Sequence, residues 1–264
     1  MTQWGPAEAI LRELGIAAPA DIDLERIARH RNAAIKRRRL ESCEARIVGF
    51  GDRAVISVDD RLGDARARFS IAHELGHWHH HRGRTFVCRP DDIGGRGRGT
   101  RDPERMADAY AADLLLPDYL FKPMLRQLKP VSLDGVRELS EAFQTSFTAT
   151  AIRLVEKEPE PAMLIRHGRD GRRWFVRSPR VPKRWIPRAE LDPVSPAHEA
   201  LFGNHPRSAL ERVGAEVWFD RPEAVDFIVR EQSFRAGDGV VTLLLFPDDQ
   251  MLKISGLRPG RGWR

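Results

Sequence analysis

The sequence predicts an α+β fold: a mostly helical first domain with a small β-sheet, a helix-turn-helix-like helical segment, and a strand-rich mixed α/β C-terminal domain. Three observations support this prediction. Apolar residues recur at helical spacing through most of the first 158 residues. The alternating segment RIVGFGDRAVISV at 46–58 interrupts them and predicts a β-hairpin. After EPEP at 158–161, apolar runs of strand length replace the helical pattern.

The first domain, residues 1–130, is predicted to contain four helices. Apolar positions at 7, 10, 11 and 14 form the first helix, which Gly15 ends, and the second spans about 23–30. Asp64 is the predicted N-cap of a third helix that extends to about residue 80. A fourth helix begins at Asp102-Pro103 and ends before Pro117. Residues 82–101 are interpreted as a loop rich in Gly and Arg.

The rest of the chain is divided at residue 158. Helices near 131–143 and 146–156 form the helix-turn-helix-like segment 131–158. The C-terminal domain, residues 159–264, is interpreted as a sensory or substrate-binding domain. Its predicted strands are 162–165, 174–177, 216–219, 240–246 and 251–254.

Composition limits where the protein works and what it binds. Its 41% hydrophobic and 31% charged residues are typical of a soluble globular chain, and the absence of an 18-residue apolar run excludes a transmembrane helix. Two cysteines cannot form a disulfide framework, which predicts a reducing, cytoplasmic location. The N-terminal segment is interpreted as an amphipathic helix and not as a signal peptide. The net charge of +6 favours anionic partners such as DNA or an acidic protein surface; a solvated basic surface is the simpler interpretation.

The stretch IAHELGHWHHH at 71–81 has the spacing of a metal site. His73 and His77 are four residues apart, so on a helix their imidazoles lie on one face, as a tetrahedral Zn²⁺ site requires. Glu74 follows the first histidine, where its carboxylate can act as a general base on the hydrolytic water. The alternative is a histidine-rich amphipathic helix with a coincidental glutamate.

A catalytic zinc needs a third protein ligand, and ERMADAYAADLLLP at 104–117 supplies a candidate. Glu104 lies 27 positions after His77, at the start of the next predicted helix. Asp108 is one turn further on the same face, where it can accept a hydrogen bond from the outer nitrogen of a ligand histidine. Ala107, Ala111 and Leu115 predict that the two helices pack closely.

These two motifs together resemble the ImmA/IrrE metallopeptidase family, whose members carry HExxH followed by E-x-x-A-(N/D)-x-(F/Y)-A-A-x-L-L-x-P. The resemblance covers roughly Asp21–Glu156 and includes VISVDDRLGDARARF before the helix and LSEAFQTSFTATAIRL after it. One departure is Asp108, where Asn is common; a carboxylate there would polarise the histidine more strongly, so activity is expected to persist.

The resemblance implies a gluzincin-like, zincin-type peptidase domain. His73, His77 and Glu104 would bind Zn²⁺, with Mn²⁺ a substitute in assays, and Glu74 would be the catalytic base. The family's members are cytoplasmic regulators that cleave or act on helix-turn-helix repressors and so switch on stress-response or mobile-element genes. We expect the repressor here to be a separately encoded protein, because no helix-turn-helix precedes the peptidase part.

Several side chains have both a functional and a structural interpretation. The donor that would stabilise the oxyanion is not fixed by the residues; Tyr110, Tyr119, His80 and His81 are the candidates. The strand Ala54–Val58 is a candidate to pair with an extended substrate. His79, His80 and His81 are better explained as a solvated helix end than as ligands.

Cys88 is a candidate fourth ligand that could hold the enzyme inactive until oxidised or displaced, or it is a small loop residue. If Cys88→Ser leaves zinc content, basal cleavage and the response to peroxide unchanged, the regulatory role is excluded.

DNA binding also remains open. In the helix-turn-helix-like segment only Arg137 and Arg153 could reach a phosphate, and its apolar residues are otherwise typical of packing positions. The basic run 166–188, with interleaved aromatic residues, could stack on nucleic acid or could be strands with aromatics inward and arginines outward.

The sequence is compatible with three functions. The first is a zinc endopeptidase with a regulatory protein target. The second is a non-proteolytic antirepressor or DNA-binding regulator with a structural metal site, and the third is a metal-binding sensor whose second domain carries out the function.

Overall fold

The computed structural model describes residues 4–82, 86–88 and 102–253, with only the backbone for 86–88. It confirms the α+β class. The chain divides into two compact units, one of Met1–Gln127 with Arg137–Thr150 and the other of Leu128–Val136 with Ala151–Arg264. The helix-turn-helix-like segment is thus shared between the units, and the three-part division of the chain stays a prediction.

The described elements up to residue 157 are seven α-helices, four strands and a 3₁₀ turn at Pro19–Asp21. In chain order the α-helices and strands are α1 (Pro6–Glu13), α2 (Leu24–His30), β1 (Ala33–Arg37), β2 (Ala45–Phe50), β3 (Arg53–Val58), α3 (Asp64–His80), β4 (Phe86–Cys88), α4 (Pro103–Leu115), α5 (Asp118–Gln127), α6 (Leu133–Phe143) and α7 (Phe147–Lys157).

The first sheet has the strand order β1-β3-β2-β4 and contains the predicted hairpin. β2 and β3 pair antiparallel around a turn in which Gly51 adopts a positive φ of 59°. Strand β1 was not predicted, and it pairs parallel with β3. Because β3 therefore has a neighbour on both edges, the hypothesis that Ala54–Val58 pairs with a substrate strand is wrong.

Two smaller expectations also need correction. The N-cap of α3 is Gly63, and Asp64 is the first residue of the helix, where its charge suits the positive end of the helix dipole. The predicted loop 82–101 contains β4, whose backbone pairs antiparallel with β2 so that Cys88 lies opposite Ala45. The remainder of that segment, 83–85 and 89–101, lies outside the described residues.

Helix α3 is the centre of the first unit. It packs against β2 and β3 on one side and against α4 on the other. Trp78 anchors it, because the buried indole donates a hydrogen bond from Nε1 to the Arg31 carbonyl at 2.7 Å. The side chains of the sheet that face the helices are fully or almost fully buried: Ala45, Ile47, Ala54, Ile56 and Val58.

The second unit is built on a five-stranded antiparallel sheet of order β6-β5-β9-β8-β7. The predicted hairpin and the predicted buried strand at 240–246 are both confirmed. The elements are β5 (Ala162–Gly168), β6 (Gly171–Arg177), α8 (Pro196–Phe202), β7 (Glu211–Gly214), β8 (Ile228–Ala236), β9 (Gly239–Leu245) and α9 (Asp249–Lys253).

Two predicted strands of this unit are wrong. The strand predicted at 216–219 is absent from these residues: the strand of this region ends at Gly214, and residues 215–217 form a 3₁₀ turn. Residues 249–253 form the short helix α9, with Met251 completely buried in the core.

A buried carboxylate, Glu231, connects parts of this core, because it accepts hydrogen bonds from Trp218 Nε1 at 2.6 Å and from the Ala197 N–H at 2.8 Å.

None of the helices in the described ranges combines the length and the apolar character needed to cross a bilayer.

Candidate metal centre

The two histidines of the HExxH sequence lie one turn apart on α3 and point toward α4. Both side chains are completely buried. Their Nε2 atoms are 3.0 Å apart, and the rings are 4.6 Å apart between centroids. The predicted helical spacing therefore does place both imidazole nitrogens at one point.

Glu104 reaches the same point from the first turn of α4. Asp102 caps this helix by accepting a hydrogen bond from the Glu104 N–H at 3.1 Å. Oε2 of Glu104 lies 3.0 Å from His73 Nε2 and 3.3 Å from His77 Nε2. Among the described residues these three side chains form the one group suited to a metal ion, with ligand atoms all within 4.8 Å of one another.

The donor set fits a zinc-like cation. Two neutral imidazole nitrogens and one carboxylate oxygen are ligands that Zn²⁺ accepts, and three protein ligands leave a tetrahedral position open. The group could therefore hold a metal ion.

Asp108 contacts the outer nitrogen of His73. It lies one turn after Glu104 on α4, and its Oδ1 accepts a hydrogen bond from His73 Nδ1–H at 2.9 Å. This bond fixes the tautomer in which Nε2 faces His77 and Glu104. The contact with His73 is the one predicted for Asp108, and its role in metal binding stays a prediction.

Replacing Asp108 by Ala is expected to weaken metal binding by about 10–100-fold, because His73 loses the acceptor that orients its ring. Competition titration with a chromophoric chelator measures the affinity. Asp113→Ala, which removes another carboxylate from α4, is the matched control and should bind metal normally. Equal affinity of the Asp108→Ala variant and the unmodified protein would show that the ring is oriented by packing alone.

The charges of the group are strongly coupled. Burial disfavours the charged form of His73, but the hydrogen bonds to Asp108 and Glu104 outweigh burial and raise the pKa of His73 to about 9. Burial likewise raises the pKa of Glu104, but hydrogen bonds with His73 and His77 lower it to about 2. Without a metal, His73 is therefore a cation facing a carboxylate at neutral pH.

Metal affinity is expected to rise with pH. A ligand histidine must be neutral, so a metal ion competes with the proton that His73 holds below about pH 9. The apparent affinity should fall by about tenfold for each pH unit below that pKa. Chelator competition at several pH values tests this. The Asp108→Ala variant should show the dependence beginning at a lower pH, and a flat profile in the unmodified protein would contradict the coupling.

Gly76 lies between the two histidines and was not singled out from the sequence. A Cβ on Gly76 would lie 2.8 Å from Ala107 Cα and 2.9 Å from Ala107 O. Both of these are backbone atoms of α4, so only glycine allows the two helices to approach this closely. The sequence feature that could have indicated this role is a glycine in the middle of one predicted helix, combined with the alanine-rich composition of the next.

Glu74, the predicted catalytic base, is completely buried on α3. Its negative charge is one of the contributions that raise the pKa of His73. It also contributes to raising the pKa of the Cys43 thiol, for which burial is the larger cause. Glu74 therefore lies within electrostatic range of both His73 and Cys43.

The candidates for an oxyanion donor differ in availability. The Tyr119 hydroxyl donates a hydrogen bond to the Ile16 carbonyl at 2.8 Å. Tyr110 is buried, which raises the pKa of its hydroxyl to about 12, and its ring stacks on His79 at 5.2 Å. His81 has its ring 5.9 Å from that of His77, and the metal-binding group includes none of residues 79–81.

The other predicted site residues divide as follows. The side chain of Cys88 lies outside the described residues, so its predicted role as a fourth ligand stays a prediction. Arg153 is buried, with 7% of its surface exposed, and Arg137 lies over the Phe147 ring at 5.7 Å. Trp185 in the basic run is completely buried. These placements favour packing over DNA contact at those positions.

Comparison with known proteins relates this geometry to a family. Residues 27–155 match the family model Peptidase_M78, described as an IrrE N-terminal-like domain. Among solved structures, a Mycobacterium tuberculosis transcriptional regulator is similar in fold, with a TM-score of 0.59 and 14% identity, over 91% of this chain and 75% of that one. No curated protein sequence matches significantly.

Proposed function

Because residues 27–155 belong to the IrrE N-terminal-like family, Peptidase_M78, as the sequence motifs predicted, we propose that the chain is a metal-dependent endopeptidase. His73, His77 and Glu104 would be the ligands of Zn²⁺, with Mn²⁺ able to replace it in assays, and Glu74 the general base. The observation that carries the proposal is the convergence of three ligand atoms from α3 and α4 within 4.8 Å.

The mechanism follows from what each side chain can do. When bound, the ion would lower the pKa of the hydrolytic water and polarise the scissile carbonyl. Glu74 would accept a proton from the attacking water and pass it to the leaving amine. Asp108 would hold the His73 ring in place.

The proposed substrate is a regulatory protein, namely a separately encoded helix-turn-helix repressor in the cytoplasm. The family resemblance supports this choice. Its cleavage would derepress stress-response or mobile-element genes.

The test is incubation of the purified full chain and Zn²⁺ or Mn²⁺ with helix-turn-helix repressors encoded beside its gene. Mass spectrometry should find a discrete cut in one repressor and none after the metal is chelated. Intact repressor under all conditions would overturn the proteolytic proposal. Release of intact repressor from its operator would instead support the non-proteolytic antirepressor.

A further inference from the structure

The face of the first sheet that points away from α3 is partly exposed. Side chains alternate across a pleated strand, so the neighbours of the buried residues of β1, β2 and β3 point outward. We call this set the outer face: Ala34, Lys36, Arg46, Val48, Phe50, Arg53, Val55 and the buried Ser57. Phe50 is 69% exposed, which is unusual for a phenylalanine.

An open cavity lies at one end of the outer face. Its volume is about 460 Å³, and it lies where α2 ends beside the β2–β3 turn. Arg29, Arg53 and Phe50 line it, together with Ala34 and Val55. Phe50 and Arg53 are directly opposite each other across the hairpin.

The charge on this face has one sign. On the outer face the charged residues of strands β1, β2 and β3 are Lys36, Arg46 and Arg53, with no Asp or Glu among them; Arg37 pairs with the buried Val58 and so belongs to the other face. Acids flank the strands at Glu44, Asp52 and Asp59. Lys36 and Arg53 are exposed, and Arg46 is half-buried. A surface of cations around an exposed aromatic ring suits a ligand with both negative charges and flat apolar faces.

We propose that the outer face binds single-stranded nucleic acid, with a base stacked on Phe50 in the cavity and the flanking phosphates on Arg29, Arg53 and Lys36. An acidic peptide would satisfy the cations but offers no flat partner for the ring, and a duplex keeps the faces of its bases stacked internally. Strand addition is not involved, because the binding groups are side chains.

This surface is independent of the proposed peptidase activity. Helix α3, which carries His73, Glu74 and His77, packs on the opposite face of the sheet. A nucleic acid on the outer face would therefore leave the metal centre uncovered. Failure of one proposal does not affect the other.

Fluorescence anisotropy with the full chain tests the proposal. The probe is a labelled oligothymidylate of about 12 nucleotides, with the matching oligouridylate to compare DNA and RNA. Binding should weaken as salt is raised, and Phe50→Ala should weaken it roughly tenfold. Arg53→Ala should weaken binding and reduce its dependence on salt. The matched controls Phe202→Ala and Arg126→Ala remove an exposed aromatic ring and an exposed arginine elsewhere and should bind normally.

Three results would overturn the proposal. Binding that is absent, or unchanged by Phe50→Ala and Arg53→Ala, would mean that the cations only keep the sheet solvated. Equal binding of a duplex of the same length would exclude stacking on Phe50. Displacement of the oligonucleotide by a polyglutamate peptide at lower concentration would assign the face to an acidic protein.

Discussion

Replacing Glu74 by Gln is expected to lower the rate of peptide hydrolysis by about 10²–10⁴-fold while metal content and stability stay the same. Glutamine has nearly the same shape as glutamate but cannot accept the proton of the attacking water. Glu74 lies on α3 between the two histidines, yet among the described residues the candidate ligand atoms belong to His73, His77 and Glu104. The change therefore separates the chemical step from metal binding.

The experiment compares kcat for repressor cleavage with metal content measured by atomic spectrometry. Glu8→Gln is the matched control, since Glu8 is also a buried glutamate of the first unit but lies on α1. It should retain full activity. A Glu74→Gln variant that cleaves normally would exclude Glu74 as the base. A variant that no longer cleaves but still relieves repression would show that contact with the repressor is sufficient.

The grouping of His73, His77 and Glu104 was predictable in part, because the spacing within each helix is a local property of the sequence. A four-residue spacing on one helix aligns His73 and His77 by geometry alone. Asp108 follows Glu104 by the same spacing on the next helix. That the two helices meet is a long-range property, and it was the order of the two motifs in a known family that predicted it. The structure places Glu104 Oε2 within 3.3 Å of both imidazoles.

The missed elements are those whose pattern is set by distant neighbours. Strand β1 has the sequence AAIKR, and the charged end of this sequence resembles a surface loop. It forms a strand because it pairs parallel with the edge of β3. Residues 249–253 were predicted as a turn and the start of a strand, but they form a helix that buries Met251. For runs this short, local preference does not separate helix from strand, so packing decides.

Gly76 is a second feature that the sequence alone did not predict, because its role depends on the facing helix. The alanines of α4 predicted close packing, but they do not reveal which residue of α3 faces them. In the structure Gly76, one residue before His77, lies against Ala107, which follows Glu104 by three residues on the facing helix. The approach of the two helices, and with it the convergence of the ligands, depends on a missing side chain.

Gly76→Ala is therefore expected to damage both stability and function, although alanine favours a helix by about 1 kcal/mol. Its Cβ would meet backbone atoms of α4 at 2.8–2.9 Å, and overpacking of this kind costs about 1–3 kcal/mol. Because α4 must shift, Glu104 moves away from the histidines. A displacement of about 1 Å is enough to reduce cleavage by about 10²-fold.

Urea denaturation, metal titration and cleavage assays measure the three effects of Gly76→Ala. Gly135→Ala is the matched control: Gly135 also lies in a helix, but an added Cβ meets the far end of the Leu128 side chain, at 2.8 Å from Cδ2, and that end can rotate away. This control should be neutral or stabilise by up to about 1 kcal/mol and should cleave normally. If Gly76→Ala is as stable and as active as Gly135→Ala, the contact between α3 and α4 does not require glycine. The group of His73, His77 and Glu104 would then tolerate a wider separation of the two helices.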